Sequence, residues 1–333
     1  MSHSEFTLRV LSWFQDHGRQ LPWRETRDPY AIWLSEIILQ QTRVSQGMAY
    51  WWRFIHQYPT VKDLAEASED DVLRSWQGLG YYTRARNLHA AARQIVALGH
   101  FPQEIEEIKK LKGVGDYTAA AIASFAFDIP VAAVDGNVFR VLARYHGIDT
   151  PINSTEGKKL FTAMANDALP KEQAADFNQA MMDFGATQCT PTSPRCQSCP
   201  LTDTCVAYRE NKVDTLPVKL KKTKIRERHL TYIYIRYKDK VAFHRRGEGD
   251  IWQGLWEPLL VEGEKLPPLG VALSLKKKGL KHVLTHQVLT ADIYLAEPDT
   301  PLPLPEGYVW IAEEDIDRYA LPRLVEKLIA TCR

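Results

Sequence analysis

Apolar residues recur with a helical period through the first two thirds of the chain. Segments such as AIWLSEIILQQ and VLRSWQ place them three and four positions apart, which is the spacing of one helix face. Capping signals precede both segments: Asp28-Pro29 lies before the first, and Ser68, with Asp71 three residues later, lies before the second. The pattern predicts an all-α domain over residues 1–216.

The period shortens in the last third, where β-branched and aromatic residues are interrupted by glycine, proline and aspartate. Four segments have this character: HLTYIYIRY, KVAFHRR, HVLTHQVL and TADIYLAE. The final stretch, EEDIDRYALPRLVEKLIATCR, returns to a helical period. We therefore expect residues 229–333 to form a small α+β domain, joined to the first domain by a polar, basic connector at 217–228.

Length and composition fit two globular domains. The chain has 333 residues, of which 45% are hydrophobic and 25% charged, and it contains no apolar run long enough to cross a membrane. The N-terminal residues lack the basic and apolar regions of a secretory signal. We expect an intracellular protein, located in a bacterial cytoplasm, with no membrane partner. The net charge of +1 gives no bulk signal for nucleic-acid binding.

Four of the five cysteines lie within seventeen residues, in CTPTSPRCQSCPLTDTC. Reduced thiols are the default inside a cell, so this C-x6-C-x2-C-x5-C spacing favours metal binding over disulfides. Four thiolates in one loop can hold zinc or a [4Fe–4S] cluster, and the spacing alone does not decide between them. We expect the remaining Cys332 to be unligated.

A glycine-containing turn between two helical segments indicates a phosphate site. In LKGVGDYTAAAI, Gly113 and Gly115 precede a helix whose first N–H groups can face a phosphate, as in a helix-hairpin-helix. The alternative is that these glycines are plain helix caps. About twenty residues later, VAAVDGNVFRVLARY places Asp135 at the start of another helix, where an ordinary N-cap is the alternative to a chemical role.

These features, in this order and at these spacings, resemble the endonuclease III superfamily of DNA glycosylases. The segments WLSEIILQQT, GLGYYTRARNL and FNQAMMDFGATQC, the Asp135-Gly136-Asn137 turn and the second domain together resemble the MutY-type adenine DNA glycosylases. The resemblance implies removal of adenine mispaired with 8-oxoguanine or guanine in double-stranded DNA, by a monomer. It also implies a [4Fe–4S] cluster on Cys189, Cys196, Cys199 and Cys205, with Arg195 near the DNA backbone.

Hydrolysis of the adenine–deoxyribose bond calls for two carboxyl groups in opposite protonation states. One protonates the leaving base and the other faces the oxocarbenium-like sugar. Glu36 lies in an otherwise apolar helix, where burial would raise its pKa and keep it protonated, so we expect it to be the general acid. Its alternative is a solvent-facing residue paired with Gln40. Asp135, near helix N–H donors, is expected to stay ionised.

A tyrosine in the hairpin bears on the reaction type. Bifunctional members of the superfamily have a lysine there that attacks the sugar, whereas this chain has Tyr117, which cannot form an imine. The resemblance places Tyr117 and Asn137 beside the sugar and implies a monofunctional enzyme. The alternative within the enzyme class is a bifunctional pyrimidine glycosylase of the endonuclease III type. Lys112 stands where many members have proline, a change that leaves the two glycines in place.

The adenine must leave the duplex to react. The resemblance implies that its pocket is formed by Arg19, Leu21, Trp23 and Arg24. It also implies that the opposing base is contacted by Gln41, Thr42, Leu79 and Tyr81. For Leu21, Trp23 and Leu79, packing in the core is the alternative.

The second domain resembles a Nudix domain, with GDIWQGLWEPL at the start of that resemblance. The acidic residues that would bind Mg²⁺ are absent from the next thirty positions, so we expect no pyrophosphate hydrolysis. In the family this domain recognises 8-oxoguanine through a loop that commonly contains Phe-Ser-His. The matching residues here are Leu284, Thr285 and His286, so a hydroxyl and an imidazole are kept while the aromatic ring is lost.

Two other classes of protein remain as alternatives. A mismatch-binding protein without catalysis would lack Glu36 or Asp135, and both are present. An iron–sulfur electron carrier would have no use for the helix-hairpin-helix or the two acids, and a DNA-binding assay distinguishes it.

Overall fold

The structure is a computed structural model that describes residues 4–220, 225–263 and 265–333. The described residues fall into two compact units. The first lies within Met1–Trp51 and Ala91–Lys221, and the second within Trp52–Ala90 and Lys222–Arg333. Among these residues no helix is both long and apolar enough to span a bilayer.

Helices account for nearly all regular structure before residue 220. In chain order they are α1 Glu5–His17, α2 Pro29–Leu39, α3 Val44–Gln57, α4 Val61–Glu66, α5 Glu69–Trp76, α6 Thr83–Leu98, α7 Ile105–Ile108, α8 Asp116–Phe127, α9 Gly136–His146, α10 Thr155–Ala168, α11 Ala174–Asp183 and α12 Val206–Arg209. The predicted all-α character of this region is confirmed.

Local capping chemistry explains two of the helix starts. Asp28 accepts a hydrogen bond from the Tyr30 N–H at the start of α2, and Pro29 occupies the first helical position. Ser68 accepts from the Asp71 N–H at the start of α5. Both predicted caps are therefore present.

The core of the first unit brings α2 and α8 together. Nine consecutive residues of α2, Tyr30 to Ile38, are buried, so this helix is covered on all sides. The facing residues of α8 include Ala120 and Ala121, whose small side chains let two helices approach closely. A second core cluster packs α1 against α9, α10 and α11. Polar groups on α2 are consequently held in a rigid and largely apolar setting.

The second unit contains a mixed sheet and one C-terminal helix. Its strands are β1 Arg226–Tyr237, β2 Lys240–Arg245, β3 Trp256–Glu257, β4 Leu259–Glu262, β5 Leu273–Val283, β6 Gln287–Ala296 and β7 Tyr308–Ala312, followed by α13 Arg323–Ile329. The strand order is β3-β2-β1-β6-β5, with β4 paired to β1 and β7 paired to β2. β1 and β6 are parallel, and the other described pairs are antiparallel.

Both faces of β1 are buried, which explains its continuous apolar run. Tyr232 and Tyr234 face the cluster that contains Leu324 and Leu328 of α13, while Ile233 faces the opposite cluster. The predicted α+β character and the predicted terminal helix are confirmed.

The segment HVLTHQVL was predicted as one continuous strand, and this prediction is wrong because a loop interrupts it. β5 ends at Val283, and β6 begins at Gln287 and runs through the segment TADIYLAE. The N–H of Leu284 donates to the carbonyl of Gln287 at 2.8 Å, so the residues between the strands form a tight loop. Residues 273–281 of β5 were not predicted as a strand, because the segment SLKKKGL is basic and the side chains of β5 are mostly exposed.

Part of the predicted helical domain packs with the sheet. The Arg86 Nη1 of α6 donates to the carbonyl of Gln253 at 2.6 Å, and Arg245 of β2 lies 2.7 Å from Glu69 of α5. The boundary at residue 216 therefore stays a prediction. Residues 221–224 of the predicted connector lie outside the described part of the chain.

Candidate active site

A cavity of about 650 Å³ in the first unit gathers most of the predicted site residues. It lies between the buried helix α2, the start of α8 and the start of α9. The predicted residues that line it are Arg19, Leu21, Trp23, Arg24, Glu36, Gln41, Thr42, Tyr117, Asp135 and Asn137. None of its lining residues is a lysine.

Glu36 is 8% exposed and projects from α2 into this cavity. Burial raises the pKa of its carboxyl to about 7, the hydrogen bond from Tyr117 opposes the rise, and the nearby charge of Asp135 adds to it. The alternative of a solvent-facing residue is wrong, because Glu36 is buried and its carboxyl accepts a hydrogen bond from Tyr117. A carboxyl with this pKa can hold a proton near neutral pH and donate it.

Tyr117 links the hairpin to Glu36. Its hydroxyl donates to Glu36 Oε2 at 2.7 Å and approaches Met182 Sδ at 3.9 Å. Burial, followed by the negative charges of Glu36 and Asp135, raises the pKa of Tyr117 well above its ordinary value. The phenol therefore stays protonated and acts as a hydrogen-bond donor.

Asp135 caps α9 with its side chain inside the cavity. One carboxylate oxygen accepts from the N–H groups of Asn137 and Val138 at 2.8 and 2.9 Å, and the other accepts from Asn137 Nδ2 at 2.7 Å. Burial raises the pKa of Asp135, whereas these three hydrogen bonds oppose the rise. Asp135 is therefore the N-cap of α9, as the alternative reading had it. Its side chain nevertheless lines the cavity, so the two roles are compatible.

Arg140 and Gly185 hold Asn137 in place. The Nη2 of Arg140 donates to Asn137 Oδ1 at 2.8 Å and to the carbonyl of Gly185 at 2.7 Å. A Cβ at Gly185 would lie 2.5 Å from that of Asn137, so only glycine allows this approach. Neither residue was singled out from the sequence.

Asp183 is the main polar residue that sequence reasoning missed. Its side chain is fully buried and accepts hydrogen bonds from both Arg19 and Arg24. Burial raises the pKa of Asp183, but the two guanidinium groups outweigh burial and lower it. An acidic residue inside the apolar run AMMDFGA was an available signal. Asp183 orients the two arginines on the cavity wall.

The four clustered cysteines line one small cavity of about 30 Å³ together with Arg144. Arg144 Nη1 lies 3.5 Å from Cys189 Sγ and donates to the carbonyl of Thr190 at 2.7 Å. Burial raises the pKa of Cys199 to about 11, and the neighbouring thiolates add to the rise. Across the described ranges, no three His, Cys, Asp or Glu side chains are placed as ligands of a metal ion. Cys332 is buried in the core of the second unit.

A cavity of about 450 Å³ in the second unit contains the remaining predicted residues that contact the opposing base. It is lined by Leu79 and Tyr81 from the turn before α6 and by Leu284, Thr285 and His286 from the β5–β6 loop. The hydroxyl oxygens of Tyr81 and Thr285 lie 2.6 Å apart. Leu79, like Leu21 and Trp23 in the first unit, is both buried and part of a cavity wall, so packing and contact are compatible roles.

The hairpin residues lie at the start of α8. Gly113 has a φ of +78°, which favours glycine, whereas Gly115 is the N-cap of α8 in an extended conformation. A Cβ at Gly115 would meet no heavy atom within 4 Å, so the surface in front of the helix is open. The Lys112 N–H donates to Gln94 Oε1 at 2.7 Å.

Residues 34–164 match the HhH-GPD superfamily of base excision DNA repair proteins, and residues 231–331 match the NUDIX domain. The adenine DNA glycosylase of Buchnera aphidicola subsp. Baizongia pistaciae is 38% identical over 255 residues, which are 75% of this chain and 72% of that protein. The chain belongs to the adenine DNA glycosylase family. The Mus musculus adenine DNA glycosylase is 42% identical over 215 residues, covering 61% of this chain and 42% of that one.

Part of the chain is also similar to a solved structure of another DNA glycosylase. A thermostable thymine-DNA glycosylase matches with a TM-score of 0.58 and 31% identity, over 62% of this chain and 95% of that one. As an adenine DNA glycosylase of base excision repair, the enzyme hydrolyses the N-glycosyl bond of adenine in DNA. The predicted family, reaction class and two-part fold are confirmed.

Proposed function

We propose that the enzyme removes adenine lying opposite 8-oxoguanine or guanine in double-stranded DNA, and that it is monofunctional. The observation that carries this proposal is the pairing of Glu36 and Asp135 in one cavity. One carboxyl has a pKa of about 7, and the other is held by three hydrogen-bond donors. The presence of both acids argues against a non-catalytic mismatch-binding protein.

Glu36 is the proposed general acid, which protonates the departing adenine. Its protonated form is favoured by burial, and the Tyr117 hydroxyl fixes the orientation of its carboxyl. Asp135 is the proposed carboxylate that faces the oxocarbenium-like sugar, with Asn137 beside it. Burial raises the pKa of Asp135, and its hydrogen bonds, which favour the ionised form, limit that rise.

The adenine pocket is proposed to lie between Leu21 and Trp23 on one side and Arg19 and Arg24 on the other. The base enters by flipping out of the duplex, since its N-glycosyl bond is inaccessible within the stack. Trp23 packs at 62° against Trp51 with ring centroids 5.6 Å apart, which keeps the apolar wall rigid. Asp183 neutralises and orients the two arginines.

The absence of a lysine among the cavity-lining residues supports the monofunctional proposal. A Schiff base needs an amine, and the residue of α8 that reaches the acids is Tyr117. The bifunctional pyrimidine glycosylase is the weaker alternative for this reason.

Contacts to the rest of the duplex are divided among four elements. The hairpin with Gly113 and Gly115 is proposed to bind a phosphate through N–H groups of α8. Gln41 and Thr42 in the first unit are proposed to contact the opposing base. Four residues of the second unit are also proposed to contact the opposing base: Leu79, Tyr81, Thr285 and His286.

Cys189, Cys196, Cys199 and Cys205 are the proposed ligands of a [4Fe–4S] cluster. Their donor set is four thiolates that line one cavity, which suits iron–sulfur binding, and the cluster would stabilise the loop that carries Arg195. Purified protein should contain about four irons and four acid-labile sulfides per chain, by the same four-thiolate logic. Stoichiometric zinc without iron would contradict this proposal.

We further propose a monomer associated with DNA in the bacterial cytoplasm, and a division into domains at 1–216, 217–228 and 229–333. The family matches at 34–164 and 231–331 support two domains on either side of a connector. A single chain supplies both cavities, so the proposed contacts need no second copy.

Single-turnover excision tests the proposal. The substrates are duplexes that contain A:8-oxoguanine, A:G, A:T or a mispaired pyrimidine. We expect excision of adenine from the first two and none from the others, without strand cleavage. D135N serves as the matched inactive variant, since it keeps the shape of the side chain and removes its charge. Equal excision from A:T and A:8-oxoguanine would contradict the proposed substrate.

A further inference from the structure

Trp252 has an uncommon backbone conformation on the wall of the second-unit cavity. Its φ of +61° lies in the left-handed region, which bulky side chains rarely adopt. The indole is half-buried and lines the same cavity as Leu284 and Thr285. A residue persists in this conformation only when the surrounding structure fixes it, and such residues concentrate at ligand sites.

Hydrogen bonds fix the loop on both sides of Trp252. The carbonyl oxygens of residues 251 to 254 each accept one hydrogen bond. Ile251 accepts from Arg246 Nε at 2.9 Å, and Trp252 accepts from the Leu255 N–H at 3.0 Å. Gln253 accepts from Arg86 Nη1 at 2.6 Å, and Gly254 accepts from Arg245 Nε at 3.1 Å. Arg246 is itself held by the buried carboxylate of Glu257 at 2.6 and 2.7 Å. The position of Trp252 is therefore set by its neighbours before any ligand binds.

The indole ring is also oriented from two directions. The Arg246 guanidinium lies over it, 5.9 Å from the ring centroid, and His282 meets it at 63° with centroids 5.8 Å apart. Trp252 is half-buried, packs against the core cluster of the second unit and lines the cavity. A fixed aromatic residue in the same cavity as the hydroxyl of Thr285 fits a ligand that is flat and aromatic and carries polar groups at its edge.

We propose that Trp252 is the aromatic surface on which the nucleotide opposite the adenine packs. The inference rests on the proposed function, which assigns that nucleotide to this cavity. Nucleobases stack on aromatic side chains whatever their identity, because every base has a π face. Leu284 stands where the family resemblance implies an aromatic residue, and Trp252 supplies a ring from the adjacent loop.

Stacking and edge recognition have separable consequences. Because stacking tolerates every base, Trp252 contributes to affinity for both A:8-oxoguanine and A:G duplexes, whereas Thr285 contributes to the difference between them. The excision step itself is proposed to depend on Glu36 and Asp135, which line the cavity of the first unit.

The test compares W252L with W252F in the full-length protein. Affinity is measured by fluorescence anisotropy on A:8-oxoguanine and A:G duplexes whose adenosine carries a 2′-fluoro group, which resists hydrolysis. We expect W252L to bind both duplexes about tenfold more weakly and W252F to bind nearly as well as wild type. W52L, which changes a 43% exposed tryptophan that does not line the cavity, is the control and should leave both affinities unchanged.

A rescue variant separates stacking from damage to the loop. In the double variant W252L/L284F a ring returns from the adjacent β5–β6 loop, and affinity should recover to within a few-fold of wild type. Unchanged affinity in W252L, or a loss that L284F does not restore, would overturn the inference. Failure of the proposed function is distinguishable, because wild-type protein would then excise adenine no better from the two mispairs than from A:T.

Discussion

Glu36 illustrates what burial does to one carboxyl group. Its pKa is about 7 in the folded chain against an ordinary value of 4.5, so the folded state holds the proton more tightly than the unfolded state. The stabilising contribution is complete below pH 4.5 and is lost as pH rises through 7. The same shift that prepares the acid for catalysis thus destabilises the protein at alkaline pH.

The variant E36Q should remove this pH dependence. An amide keeps the shape of the side chain and the hydrogen bond from Tyr117, but it neither ionises nor donates an acid proton. As the pH rises from 4.5 to 8, the free energy of unfolding of E36Q should increase relative to that of wild type by on the order of 2–3 kcal/mol. Urea titrations at several pH values measure this, with the exposed Glu172→Gln as control.

E36Q should lose excision although it gains stability. Wild-type activity should fall as pH rises above about 7, while E36Q should bind the mispair and excise no adenine. A wild-type profile flat from pH 6 to 9 would remove Glu36 from the role of general acid.

Tyr117 tests the placement of the hairpin beside the sugar. Y117K introduces an amine at the position whose hydroxyl now lies 2.7 Å from Glu36, and a covalent adduct with DNA should be trapped by borohydride. Y117F, which keeps the ring and adds no amine, should give no adduct. Equal trapping with both variants would mean that residue 117 does not reach the sugar.

At the scale of elements, the two hairpin glycines have different physical reasons. Gly113 needs its left-handed φ of +78°, whereas Gly115 is extended and has open space in front of its Cα. The sequence motif GVG cannot separate a conformational requirement from a requirement for close approach by a ligand.

Alanine at each glycine makes that separation measurable. G113A should lower the free energy of unfolding by about 1 kcal/mol, since a Cβ is strained at positive φ. G115A should change stability by less than about 0.5 kcal/mol and weaken DNA binding several-fold, because its methyl group occupies the space in front of the α8 N–H groups. Thermal melts and binding isotherms of the two variants give the comparison, and unimpaired DNA binding by G115A would exclude a phosphate at this position.

Local chemistry determined which elements could be predicted. The cap at Asp28 and the apolar period of α2 depend on a few neighbouring residues, and both were predictable from the sequence. β5 was not, because an exposed strand needs only a partner strand, here β6, and carries little hydrophobic signal of its own. Asp183 stands out as an acid in an apolar run, but its partners Arg19 and Arg24 lie about 160 positions away and cannot be inferred from the local sequence.

For the whole molecule, the grouping of residues 52–90 with the sheet is the feature that the sequence concealed. The order of motifs placed this segment in the helical domain, while its contacts join it to residues after 222. Those contacts include Tyr81 with Thr285, Arg86 with Gln253 and Glu69 with Arg245. Tertiary contacts of this kind depend on side chains more than 160 positions apart, which periodicity cannot reveal.

A fragment ending at Pro217 tests how the two parts divide the work. It keeps Glu36, Asp135 and the four clustered cysteines, and it loses the loop with Thr285 and His286. It should be less stable than the full chain, because residues 52–90 lose their sheet contacts, but it should still excise adenine. A polar contact to the edge of a base is worth about 1–3 kcal/mol, so the preference for A:8-oxoguanine over A:G should fall roughly tenfold or more.

T285A in the full chain is the matched control and should lose part of that preference at unchanged stability. Excision rates on both mispairs measure the effect, and if truncation lowers both by one factor, residues 229–333 act as a general DNA clamp and do not recognise the oxidised base.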